Sequence, residues 1–201
     1  MKFLAKINRG LILTVVIVAA IAIYLIAQSI SQADEKPKIK DVCQQYINTA
    51  ISYSQLPENY RKANPEIPQA ELDKYIADMS KDLKAFYTDK EETYKGVIER
   101  NKEYLENQAK GVGVVYSYTK EIKEYENFVF DGDTVTVSIG TNSVFDGSDI
   151  SSPLSPRGKV TGKTVDTITL QKVDGEWKVI YAFLEQPVKP KDNQTITYRL
   201  N

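Results

Sequence analysis

The apolar residues of this chain change their spacing once, at Gly111 and Gly113. Before these glycines the apolar residues recur every three or four positions, which indicates amphipathic helices. After them, apolar and polar residues alternate, which indicates strands. Because the helical half precedes the strand half, the sequence predicts an α+β domain in which about three helices pack on an antiparallel sheet.

The helical half contains signals for three separate helices. An apolar stripe begins at Cys43 and ends near Pro57, and helix is expected to resume at about Gln69 after a proline-rich connection. Thr88 and Glu91 form a potential capping box, which predicts a boundary between two helices near Thr88. A single long helix with a kink at this point is the alternative.

The strand half is divided by turn signals. Asp131 with Gly132, and Asp174 with Gly175, are pairs typical of hairpin turns. Residues 145–163 are rich in glycine, serine and proline, and we expect them to form a long, mobile and solvated hairpin loop. A last alternating run, TITYRL, occupies residues 195–200.

The second turn predicts which residues of the last hairpin face each other. If Asp174 and Gly175 form a two-residue loop, Leu170 lies opposite Val179, Ile168 opposite Tyr181 and Lys172 opposite Trp177. This register places the large apolar groups on one face, where they are available to line an interior cavity. The candidate cavity-lining residues are Leu170, Trp177 and Tyr181.

The other face of the same hairpin carries small and β-branched side chains with few charges. In the same register Ile180 lies opposite Thr169, and Ala182 lies opposite Thr167. A fully solvated face normally carries more charge, so this composition favours contact with a second copy or with another protein. The candidate self-association residues are Thr167, Thr169, Ile180 and Ala182.

Composition excludes several kinds of site. The chain has 201 residues, no histidine and one cysteine, Cys43. The absence of histidine removes the commonest general base near neutral pH and most zinc sites, and one cysteine cannot form an internal disulfide. The aspartates beside glycines are interpreted as turn residues rather than calcium ligands. We therefore predict no catalytic, cofactor-binding or metal-binding residue.

An apolar segment near the N-terminus predicts where the domain resides. Residues 10–33 carry no charge, and three basic residues precede them. Residues 11–30 as a helix, at about 1.5 Å per residue, match the ~30 Å hydrocarbon core of a bilayer. The positive-inside rule then leaves the N-terminus in the cytoplasm, with the domain outside. Cleavage of a secretory signal near Ala33 is the alternative.

These signals divide the chain into three parts. Residues 1–33 are the cytoplasmic start and transmembrane anchor, residues 34–40 are a charged linker, and residues 41–201 are the extracytoplasmic domain, with a C-terminal extension at 187–201. Of the 26 basic residues, 23 follow residue 33, against 27 acidic residues. This negative balance excludes nucleic acid as an expected partner, because phosphates attract basic surfaces.

Three amphipathic helices followed by a sheet that closes on the hairpin GEWKVIYA resemble the nuclear-transport-factor-two-like, or cystatin-like cone, superfamily, from Lys40 to about Gln186. The resemblance implies a cone-shaped domain with its helices in the concave side of a curved antiparallel sheet, and it implies that sheet-to-sheet dimers are common. Catalytic members use Asp with His, or Tyr with Asp, at the mouth of the cone. Since this chain has no histidine, no catalytic motif carries over.

The expected function is a non-enzymatic, membrane-anchored, extracytoplasmic module for protein interaction or assembly. Its arrangement is similar to that of the bitopic scaffold subunits of type IV secretion and conjugation machines, and equally to that of many surface proteins of Gram-positive bacteria. The expected partners are the membrane, through residues 11–30, and either a second copy or another extracytoplasmic protein, with no cofactor. A small-ligand-binding cone domain is the first alternative, and an enzyme without histidine is the second.

Overall fold

The computed structural model describes residues 9–148 and 157–187, with the backbone alone for residues 9–15, 24–29 and 31. Most of the predicted cytoplasmic start, the tip of the predicted loop, the TITYRL run and nearly all of the C-terminal extension lie outside the described residues. Contacts divide the chain into two units, Met1–Ile39 and Lys40–Asn201.

The first helix, α1 (Arg9–Ser52), belongs to both units. Residues 34–40, expected to be a linker, are part of this helix, and Pro37 lies inside it. Pro37 has no N–H to donate to the carbonyl of Ala33, so the helix continues there without that bond. Across the described part of the chain, no helix is both long enough and apolar enough to cross a membrane.

Two further helices follow, α2 (Gln69–Lys84) and α3 (Glu91–Ala109). The expected restart at Gln69 and the boundary near Thr88 are confirmed, but the capping box is wrong. Lys90 is the N-cap residue of α3 and makes no side-chain capping bond. The Thr88 hydroxyl lies 3.2 Å from the Thr93 hydroxyl instead, and the segment before α3 contacts the sheet, where the Val179 N–H donates to the Phe86 carbonyl at 2.8 Å.

The second half of the chain forms one four-stranded antiparallel sheet, so the domain is α+β as predicted. Its strands are β1 (Val115–Asp131), β2 (Thr134–Gly147), β3 (Gly158–Val173) and β4 (Glu176–Phe183). They neighbour one another in chain order, β1-β2-β3-β4, with every pair antiparallel.

The turn at Asp174 and Gly175 is confirmed, and both residues have positive φ, 51° and 86°. This is the type I′ geometry that suits the twist of a two-residue hairpin. The first turn is displaced by one residue from the prediction. Asp131 still pairs with Thr134, so Gly132 and Asp133 are the loop residues, with Gly132 at φ 57°.

Both ends of the predicted loop at residues 145–163 are strand, at 145–147 and 158–163, which corrects the sequence interpretation. Phe145 pairs with Val160, and the pairing of β2 with β3 extends to Gly147 and Gly158. Burial explains the extension, because Phe145 and Val160 are each 9% exposed and the Phe145 ring meets the Tyr118 ring edge-on at 5.7 Å. The middle of the predicted loop, residues 149–156, lies outside the described residues.

One face of the sheet, here called the buried face, contributes to the core. It carries fully buried side chains on β2, β3 and β4: Val135, Val137, Ile139, Ile168, Leu170 and Val179. Two glutamines join the helical segments to the edge of β1. Gln55 donates to the Tyr118 carbonyl and accepts from its N–H, whereas Gln108 accepts from the Val115 N–H and donates to the Ser54 carbonyl.

Candidate functional site

The last hairpin follows the predicted register only near its turn. Leu170 pairs with Val179 and Lys172 with Trp177, as expected. Beyond Val179 an extra residue, Ile180, shifts β4 by one position, so Thr169 pairs with Tyr181 rather than with Ile180. A β-bulge of this kind places two residues opposite one and reverses the faces of all residues beyond it.

The bulge separates the three candidate cavity residues. Leu170 is fully buried and Trp177 is 7% exposed, both on the buried face. Tyr181 is 56% exposed, because it lies opposite Thr169 on the other face of the sheet. The predicted pairing of Ile168 with Tyr181 is therefore wrong, and Ile168 pairs with Ala182.

The bulge also changes the membership of the predicted self-association face. Thr167 and Thr169 do lie on the outer face. Ala182, however, lies opposite the buried Ile168, and Ile180 is the half-buried extra residue of the bulge. The places expected for Ile180 and Ala182 are taken by Tyr181 and by Phe183, which is 53% exposed. The outer face is thus more aromatic than the sequence predicts.

Two rows of uncharged residues cross the outer face from β1 to β4, and together they are called the outer patch. The first row is Val129, Thr136, Thr169 and Tyr181, and the second is Asn127, Ser138, Thr167 and Phe183. Within the first row the hydroxyls of Thr136 and Thr169 lie 3.1 Å apart. Charged groups bound the patch, with Glu126 beside Gly140 at one end and the Lys178–Glu176 ion pair at the other.

A second candidate site lies on the buried face and involves two charged residues. Lys120 of β1 and Asp166 of β3 form an ion pair with Nζ and Oδ1 2.5 Å apart, and both side chains are 0% exposed. β2 separates their strands, so the two side chains meet across it. A buried ion pair is costly unless further hydrogen bonds satisfy both groups.

Hydroxyl groups supply those further hydrogen bonds. Lys120 Nζ donates to Thr164 Oγ1 at 3.1 Å and to Thr141 Oγ1 at 3.4 Å, while Thr141 Oγ1 also donates to Asp166 Oδ2 at 3.4 Å. The Oγ1 atoms of Thr141 and Thr164 are 2.7 Å apart, and Ser143 Oγ lies 2.8 Å from Thr164 Oγ1. All three hydroxyl residues are buried.

The segment after β4, residues 184–187, passes over this cluster and is called the strap. The Glu185 N–H donates to Asp166 Oδ1 at 2.8 Å, and the Glu185 carboxylate accepts from the Val165 N–H at 2.9 Å. The Tyr118 hydroxyl donates to the Glu185 carbonyl at 3.4 Å. The strap therefore helps to exclude water from the Lys120–Asp166 pair.

Burial works against the charged forms of both residues. Loss of solvation lowers the pKa of Lys120 below its ordinary value and raises the pKa of Asp166 above its ordinary value, although the partner's charge opposes each effect. Burial therefore weakens the preference of each side chain for its charged form.

Sequence reasoning missed this pair, although a signal for it is present. Asp166 is two residues from Ile168 and four from Leu170, so strand alternation alone places all three side chains on the same, buried face. Lys120 likewise shares the phase of Tyr118 and Ile122. Alternation does not predict that β1 and β3 both pair with β2, and it is this pairing that brings Lys120 and Asp166 together.

No protein-family model matches this chain, and the comparison with curated proteins finds no match either.

Proposed function

We propose that this protein is a non-enzymatic, membrane-anchored, extracytoplasmic module that self-associates through the outer patch. The observation that carries the proposal is the exposure of two neighbouring aromatic rings, Tyr181 and Phe183, on a sheet face without charged side chains in either row. Aromatic residues are enriched in protein interfaces, whereas charged residues are depleted at interface centres.

The shape of the patch suits a symmetric contact. Two sheet faces can pack against each other, and in a twofold dimer the same residues serve both subunits. Thr136, Ser138, Thr167 and Thr169 are small or β-branched, so they permit close approach around the two rings. The charged groups at both ends of the patch form the polar rim that is usual for interfaces.

The β1 edge of the sheet is a poorer place for association than the outer face. β1 has three register irregularities, between Val115 and Ser117, Ile122 and Glu124, and Tyr125 and Asn127. Its sequence KEIKEYE is also strongly charged. Bulges and charges on an edge strand oppose pairing with another strand.

The anchor is the second part of the proposal. Its support is the uncharged run at residues 10–33, which α1 includes, and the exposure of every side chain at positions 16–23. Several of these side chains are large and apolar, among them Val16, Ile17, Val18, Ile21 and Ile23. A helix that exposes apolar groups in all directions is typical of a lipid environment. Anchoring would also raise the effective concentration of the domains and strengthen a weak contact.

The test is a pair of charge substitutions in the full chain. Tyr181→Glu combined with Phe183→Glu should weaken self-association by about 30-fold or more, equivalent to about 2 kcal/mol, because carboxylates would be forced into a dry contact. Sedimentation in detergent over a range of concentrations measures the effect, with crosslinking in membranes as a second readout.

Val112→Glu is the matched control, since Val112 is 39% exposed and lies outside the outer patch. It should leave association and thermal unfolding unchanged. A wild-type chain that is monomeric at every concentration and gives no crosslinked dimer in membranes would refute the proposal. So would a double variant that associates as strongly as the wild type.

A further inference from the structure

The Lys120–Asp166 pair brings an amine and a carboxyl group, which can condense to an amide, into direct contact away from solvent. We propose that Lys120 Nζ and Asp166 Cγ become joined by an intramolecular amide bond, which links β1 to β3 across β2. The inference rests on the contacts of this buried cluster and is independent of the proposed self-association.

Proximity is the first observation that supports the bond. The amine nitrogen lies 2.5 Å from one carboxyl oxygen, and neither side chain is exposed to solvent. Holding two reacting groups together in this way replaces a bimolecular encounter with a reaction inside one molecule, which removes much of the entropic barrier. Both groups are also held by hydrogen bonds on other sides, through Thr164 for the amine and through the Glu185 N–H for the carboxyl group.

The protonation states of the two side chains are the second point in favour of the bond. Amide formation requires a neutral amine and a protonated carboxyl group, and transfer of one proton from Lys120 to Asp166 produces both. Loss of solvation lowers the pKa of Lys120 and raises the pKa of Asp166, so burial shifts the pair toward these reactive forms. No external acid or base is needed for this transfer.

The step balances without an oxidant or a reductant. The lone pair of Nζ attacks Cγ and forms the C–N bond, and the Cγ–Oδ2 bond then breaks. Oδ2 leaves as water, carrying the proton of the acid and one proton from Nζ. The product is a secondary amide, in which Oδ1 is the carbonyl oxygen.

The neighbouring groups fit this course of reaction. The Glu185 N–H, 2.8 Å from Oδ1, is placed to stabilise negative charge on that oxygen when Cγ becomes tetrahedral. A chain of hydroxyls leads from Nζ through Thr164 and Thr141 to Oδ2, with separations of 3.1, 2.7 and 3.4 Å. This chain provides a route for the proton that must travel from the nitrogen to the leaving oxygen.

The test is the mass of the full chain, purified in detergent and then denatured. The proposal predicts a mass lower than that of the unlinked chain by one water. After proteolysis, fragmentation should identify a branched peptide in which the Lys120 side chain is attached to Asp166. Lys120→Arg should restore the lost mass, because the guanidinium group stays protonated and cannot attack.

Asp-Gly sequences can also lose water, by cyclisation to a succinimide, and this chain has three of them, beginning at Asp131, Asp146 and Asp174. A water loss that maps to those positions and persists in Lys120→Arg would overturn the proposal. Recovery of linear peptides that contain unmodified Lys120 and unmodified Asp166 from the wild-type chain would also overturn it. That second result needs no variant, so a folding defect in Lys120→Arg does not weaken the test.

Discussion

Cys43 illustrates how the environment of one residue controls its chemistry. Its side chain is fully buried, and this burial raises the pKa of the thiol from 9.0 to about 12. Because the thiolate is the reactive form, the folded protein holds Cys43 in an unreactive state at neutral pH. The residue therefore behaves as a small apolar core residue.

We predict that a thiol reagent at about pH 8 labels Cys43 only after the domain unfolds. The folded thiol has the higher pKa, so its contribution to stability is fully present below about pH 9 and is lost as the pH rises toward 12. Labelling rates with and without denaturant provide the measurement. Equally rapid labelling of the native protein would show that the α1 segment around Cys43 opens readily.

At the scale of the element, two glycine positions allow the effect of backbone conformation on stability to be measured apart from the effect of packing. Gly175 has φ 86° in the β3–β4 turn, whereas Gly96 lies inside α3, and a Cβ at either position would meet no atom within 4 Å. Any effect of adding a methyl group is therefore an effect on the backbone.

Gly175→Ala should destabilise the domain by about 1–2 kcal/mol, because a left-handed backbone is unfavourable for residues with a Cβ. Gly96→Ala should stabilise it by about 0.5–1 kcal/mol, because alanine has less backbone freedom to lose in a helix. Thermal unfolding of the two variants beside the wild type gives the comparison. If both changes had the same sign, the turn geometry would not be limiting for the hairpin.

At the scale of the whole molecule, the proposed anchor predicts the topology of the chain. Protease added to intact cells should degrade the chain after about residue 34 and leave a small stub in the membrane, because the basic residues before the apolar run hold the N-terminus inside. A cytoplasmic protein in the same cells is the control and should remain intact. Protection of the domain until the cells are lysed would contradict the proposal, and a soluble form that begins near residue 34 would indicate a cleaved signal.

The sequence by itself determined the features that depend on neighbouring residues. The spacing of apolar side chains predicts the helices before Gly111 and the strands after it, and Asp174 with Gly175 predicts the tight turn between β3 and β4. These predictions succeed because helix periodicity, strand alternation and turn geometry are properties of a few adjacent residues. The α+β class follows from the order of these segments.

Only the tertiary structure decided which residues occupy the two candidate sites. The bulge at Ile180 placed Tyr181 and Phe183 on the outer face. Burial of Phe145 with Val160 extended β2 and β3 into both ends of the predicted loop. Lys120 and Asp166 are 46 residues apart in the chain and meet because β2 lies between their strands. Strand alternation is a local property, but register and pairing depend on the fit between distant segments, which the spacing of residues within one segment does not contain.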